Sequence, residues 1–188
     1  SVPLSAQEVA SRIGANLRAL TILLDALSAM GLLVKQRGTY QCVNPVSSFL
    51  SDEASNSVLP MVLHAAHLWH RWSGLTDTVR ATKGSKDAAK SPQSAEDLRA
   101  FIGAMDVIAT PRAREIVAAI NPGSSKTLLD VGGASGTYTI AFLQAVPEMK
   151  ATLFDKPEVV EMARERLKKA GVLHRVTLVP GDFYQDEL

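Results

Sequence analysis

Leu128-Leu129-Asp130-Val131-Gly132-Gly133-Ala134-Ser135-Gly136 is the stretch on which the reading of this chain turns. An apolar run containing one acid breaks into glycines, and a helical pattern follows from about Gly136 to Pro147. The pattern describes a strand entering a helix through a tight turn. Gly132 and Gly133 let the backbone turn sharply and approach a ligand with no Cβ in the way. Ligands of open α/β sheets bind beyond the carboxyl ends of the strands, so the turn is the candidate site. A dinucleotide fingerprint needs glycine at its first, third and sixth positions. Counted from Gly132, these fall on Gly132, Ala134 and Thr137, and the fingerprint fails. Asp130, two residues before the first glycine, suits a ligand with a cationic amino-acid end rather than a pyrophosphate.

Toward the C-terminus, strand and helix alternate. A strand is expected over 127–131, a second over 151–154 and a third over 176–179, with helices between them. The helix over 157–170 has Glu158 and Glu161 near its start, Lys168 and Lys169 near its end and Gly171 after it, an order that complements the helix dipole. Such alternation implies a parallel sheet with crossover helices, an α/β domain. Asp155 closes the second strand, where a carboxylate is placed to accept both hydroxyls of a ribose. The third strand ends in Gly181-Asp182-Phe183. There Asp182 is placed to accept a hydrogen bond from an adenine amino group, and Phe183 offers an apolar face to the ring.

Toward the N-terminus the pattern is helical. Ser5 and Glu8 form a capping box, and Gly14 stops the first helix. Asn16 caps a second, with Leu17, Leu20, Leu24, Leu27 and Met30 at helical spacing before Gly31. Strands over 32–35 and 40–43 meet at an Arg37-Gly38 turn, which completes the pattern of a winged helix. A long helix is expected over 61–80, a loop over 83–93, a helix over 94–109 and a restart at Thr110-Pro111, with Thr110 as cap. Asn121-Pro122-Gly123 marks a boundary, so the expected divisions are 1–55, 56–122 and 123–188.

The remaining features narrow the function. The 188 residues are 46% hydrophobic with a net charge of +1, which points to a soluble, cored protein and gives no electrostatic case for a nucleic-acid or membrane partner. The single cysteine, Cys42, excludes an internal disulfide framework and fits a reducing, cytoplasmic setting, and no secretory signal opens the chain. His64, His67 and His70 lie on one expected helix, but the first and last fall on different faces and no HExxH pattern is present. A structural or pocket-lining role is the simpler reading, and no metal is expected. A winged helix can read DNA, yet Leu20, Thr21, Ile22, Leu23, Leu24 and Asp25 make a packing surface poor in base-reading side chains.

The runs LLDVGGASG, LFDKPEVV and RVTLVPGDFY resemble the class I methyltransferases that use S-adenosylmethionine. More closely, they are similar to the O-methyltransferase family that includes caffeate and hydroxyindole enzymes and their bacterial relatives. VPLSAQEVASRIGANLRALTILLDALSAMGLLVKQRGTYQCVNP resembles that family's winged-helix dimerisation domain, and LWHRWSGLTDTVRATKG and FIGAM resemble its linking helices. The resemblance implies a Rossmann-like α/β methyltransferase domain, S-adenosyl-L-methionine as cofactor, a homodimer, and methyl transfer to a hydroxyl of a small, aromatic acceptor. It also implies cofactor roles for Gly132, Asp155, Asp182 and Phe183, beside the reading of Asp130 given above. Ala134 stands where the family often has a third glycine. The family's general base, a histidine, lies well beyond the Gly-Asp motif, while this sequence stops at Leu188. A fragment with an incomplete sheet is therefore expected, and no catalytic residue is assigned. Two alternatives stay open: a nitrogen or carbon acceptor on the same fold, and a transcription regulator whose α/β part senses a ligand.

Overall fold

The computed structural model describes residues 2–51, 54, 56–81 and 94–186. The loop expected over 83–93 lies outside them. The chain forms two compact units, Ser1–Leu59 and Pro60–Leu188.

In the first unit, β1 (Leu4–Ser5) leads into α1 (Ala6–Ile13) and α2 (Leu17–Ala29). A hairpin of β2 (Leu33–Gln36) and β3 (Thr39–Cys42) follows, then α3 (Asn44–Phe49). Local chemistry sets these boundaries. The Ser5 hydroxyl accepts the Glu8 N–H while the Glu8 carboxylate accepts the Ser5 N–H, closing the capping box. Gly14 ends α1 with φ +65°, and the Asn16 side chain caps α2. The hairpin strands are displaced by one residue from the expected 32–35 and 40–43. The cause is the turn: Arg37 and Gly38 both take positive φ, which makes a two-residue connection and pairs Gln36 with Thr39. Ala10, Leu20, Leu24 and Tyr40 form the small core, with the Tyr40 hydroxyl and the Lys35 ammonium both donating to Asp25.

The second unit starts with helices. The single helix expected over 61–80 is two, α4 (Leu59–Ser73) and α5 (Leu75–Arg80), separated at Gly74. Conversely, the two helices expected to meet at Thr110-Pro111 are one, α6 (Ala95–Ile120), with Pro111 inside. A proline removes one ladder bond but does not forbid continuation where packing holds both halves. Ala100, Ile102 and Ala104 are buried before it, and Ala113 and Val117 after it. Thr110 does not cap; its hydroxyl reaches back one turn to Asp106 Oδ1 at 3.1 Å.

From Asn121, in a left-handed conformation at the end of α6, the α/β layer begins. It comprises β4 (Thr127–Val131), α7 (Thr137–Ala145), β5 (Lys150–Asp155), α8 (Pro157–Lys169) and β6 (Val176–Pro180). The strands are parallel in the order β4-β5-β6, so sequence order is spatial order. Register pairs Val131 with Phe154, Phe154 with Val179 and Asp155 with Pro180, so the three strands finish along one edge. Leu143, Met149, Leu153, Val160, Ala163 and Leu167 form the core between sheet and helices. Each of the larger side chains contributes about 1.5–3 kcal/mol by leaving water. That rigid layer fixes the edge where the candidate residues stand.

Candidate cofactor site

The glycine loop is shaped by its contacts with the neighbouring strand. The Gly132 N–H donates to the Phe154 carbonyl at 2.8 Å, and the Gly136 N–H closes the turn on the Gly133 carbonyl at 2.8 Å. Gly132 and Gly136 have φ of +72° and +75°. Gly133 is required by space: a Cβ there would stand 2.6 Å from Leu153 Cγ and 3.1 Å from Asp130 Cγ. Ala134 occupies the left-handed region at φ +48°, a conformation its methyl group makes costly.

The acids sit around this loop. Asp130 Oδ2 accepts the hydroxyl of the fully buried Thr139, which fixes the carboxylate beneath Gly133. Asp155 bridges two segments: Oδ2 accepts the Ala134 N–H at 2.8 Å and Oδ1 accepts the Lys156 N–H at 2.8 Å. Its carbonyl takes the Gly181 N–H at 2.9 Å, which ties the end of β6 to the same place. Asp130, Gly132 and Asp155 are thus brought together by direct bonds or shared contacts.

Asp182 and Phe183 stand further along that edge, in a turn. Asp182 Oδ1 accepts the Tyr184 N–H at 3.0 Å, and Oδ2 accepts from Gln185 at 3.1 Å. Phe183 is half exposed with its ring against Tyr184, centroids 4.5 Å apart. Gly181 is closely packed; a Cβ there would lie 2.5 Å from the Phe154 ring.

The sequence reading missed Ser135, Thr137, Thr139, Asp106 and Arg166. The signal present was the hydroxyl series itself: Thr137 and Thr139 are buried in a mostly apolar helix and need partners. The histidines of α4 do not converge. His64 packs against the Phe101 ring, and His67 Nδ1 lies 2.9 Å from Asp97 Oδ1. A cavity of about 510 Å³ between α6 and α7 opens near Asn121 and Val146, at the far end of α7 from the glycine loop. It holds none of the acids described above.

The set of acceptors suits a ligand with a cationic amino group and a nucleoside. The carboxylates accept from ammonium and hydroxyl groups, and the glycine loop admits close approach of the ligand to backbone.

A family model described as an O-methyltransferase domain matches residues 72–188. The mitomycin biosynthesis 6-O-methyltransferase of Streptomyces lavendulae is 30% identical over 97% of this chain and 55% of its own. The N,N-dimethyltransferase OxyT of Streptomyces rimosus is 28% identical over 99% of this chain and 57% of its own. The solved mitomycin 7-O-methyltransferase MmcR superposes with a TM-score of 0.79 at 28% identity, covering 98% of this chain and 57% of that one. The chain spans about half the length of the curated relatives it matches.

Proposed function

This chain belongs to the O-methyltransferase family, and on that premise we propose that it binds S-adenosylmethionine at the ends of β4, β5 and β6 and serves methyl transfer to a hydroxyl of a small aromatic molecule. The observation that carries the reading is the junction of loop and acid: Asp155 holds the Ala134 amide while Gly133 leaves no room for a side chain. Asp130, locked by Thr139, is the acceptor for the amino-acid end. Asp155, at a strand end, accepts from the ribose hydroxyls. Asp182 and Phe183 receive the adenine, by a hydrogen bond and by ring contact.

S-adenosylmethionine supplies a methyl group already activated on a sulfonium. What the protein adds is alignment of the acceptor oxygen with that carbon and exclusion of water. The acidic groups here hold the cofactor; none is assigned as the base. The similarity to OxyT, named an N,N-dimethyltransferase, supports a second reading in which the acceptor atom is nitrogen.

The first unit is read as a winged-helix dimerisation domain. Ile13, Ile22, Leu23 and Met30 are exposed by more than half, an apolar surface that suits a second copy of the chain better than base edges. Half-buried Cys42 and the absence of disulfide partners fit a cytoplasmic protein. Among the described residues no helix is long and apolar enough to cross a membrane. The test of the activity is transfer of labelled methyl from S-adenosylmethionine to a panel of phenols and aromatic amines by the protein at its natural full length. Labelled phenol ethers are expected; labelled amines alone would move the acceptor to nitrogen, and no labelled product would defeat the reading.

A further inference from the structure

Asp106, in the middle of α6, joins three helices through one carboxylate. Oδ1 accepts the hydroxyls of Thr137 and Thr110, and Oδ2 accepts Arg166 Nη1 from α8. Thr137 is the first residue of α7, directly after the glycine loop, and its Oγ1 lies 2.7 Å from Ser135 Oγ inside the loop. Asp106 is largely covered, with 16% of its side chain exposed, and both Ser135 and Thr137 are buried.

The chemistry fixes the direction of this chain of bonds. A carboxylate only accepts, so the Thr137 proton points to Asp106. Thr137 Oγ1 therefore serves Ser135 as an acceptor, and the Ser135 proton is spent inward. The Ser135 oxygen is left with acceptor capacity alone. Every hydroxyl in the chain has one orientation, and the anchoring charge is balanced by Arg166.

We propose that Asp106 is a positioning residue for the cofactor loop: through Thr137 and Ser135 it lets α6 hold Gly132–Gly136 in the binding conformation, as a second anchor beside Asp155. The inference rests on the reading of that loop as the S-adenosylmethionine site. Asp155 fixes the loop by the Ala134 amide, and Asp106 fixes it at Thr137, three residues later, and through Thr137 at Ser135, one residue later.

The test uses the full-length protein and two readouts: affinity for S-adenosylhomocysteine by calorimetry, and hydrogen exchange of the loop amides 134–137 without ligand. Thr137→Val and Asp106→Ala are expected to weaken binding by about tenfold, and Thr137→Ser, which keeps the hydroxyl, to stay within about twofold. In the Thr137→Val and Asp106→Ala proteins the loop amides exchange faster while amides of β5 keep their protection. The double variant is no weaker than the weaker single, since both cut one chain of bonds. If Asp106→Ala does not fold, the comparison of Thr137→Val with Thr137→Ser decides. Affinity and loop exchange unchanged in Thr137→Val would overturn the proposal. If the unaltered protein does not bind S-adenosylhomocysteine, the cofactor reading falls, and loop exchange alone then judges the role of Asp106.

Discussion

At Gly133 and Asp155 the site depends on single atoms. A methyl group at position 133 would enter the space of Leu153, which is fully buried and has nowhere to move. Gly133→Ala is expected to destabilise the protein by about 1–3 kcal/mol, the usual cost of overpacking. Denaturant unfolding checks this, and a change within error would mean that the loop can shift outward at little cost. The Asp155 carboxylate, proposed to accept the ribose hydroxyls, also holds the Ala134 amide. Asp155→Ala is therefore expected to lower S-adenosylhomocysteine affinity by about 1–3 kcal/mol and stability by about 1 kcal/mol. Calorimetry and unfolding on the same preparation separate the two effects, and a loss of stability alone would make Asp155 a loop anchor only. These residues were legible beforehand because glycines and strand-end acids are local signals. Asp106 was not: its partners Thr137 and Arg166 are distant in sequence, and nothing local marks a helical aspartate as their meeting point.

Among the elements, the α/β alternation was legible because each strand and helix has its own period, and the boundaries moved by a residue or so. The helical segment was less so. Thr110-Pro111 has the local form of a helix start, but burial of Ala104 and Ala113 on either side overrides it. The hairpin of the first unit offers a test of element stability by pH. Asp25 is held below the usual carboxylate range, first by the hydrogen bond from Lys35 and then by that from Tyr40. Lys35 is raised by the same bond to Asp25. A lowered folded carboxylate contributes stability that is present above its unfolded pKa and lost as pH falls through the folded value. The raised lysine contributes stability that is present below its unfolded pKa and lost as pH rises through the folded value. The stability of the protein should therefore fall on both sides, below the carboxylate range and above the lysine range, as melting at a series of pH values would show. Asp25→Asn should flatten both limbs; an unchanged profile would show that the pair contributes nothing.

In the whole molecule, the first unit exposes apolar side chains, and the strand ends of the α/β unit carry the residues proposed for the cofactor. The proposed homodimer predicts twice the chain mass in sedimentation at micromolar concentration, and Leu23→Glu, on an exposed face of α2, should shift it toward monomer. Indifference of the mass to that substitution would remove α2 from the interface. The β4–β5–β6 edge is proposed as an S-adenosylmethionine site and not a dinucleotide site. Calorimetric titration of the full-length protein with S-adenosylhomocysteine and, separately, with NAD tests it most directly. Saturable binding of S-adenosylhomocysteine, weakened by Asp155→Ala, is expected, with no heat from NAD; preferential binding of NAD, or S-adenosylhomocysteine binding untouched by Asp155→Ala, would overturn the assignment.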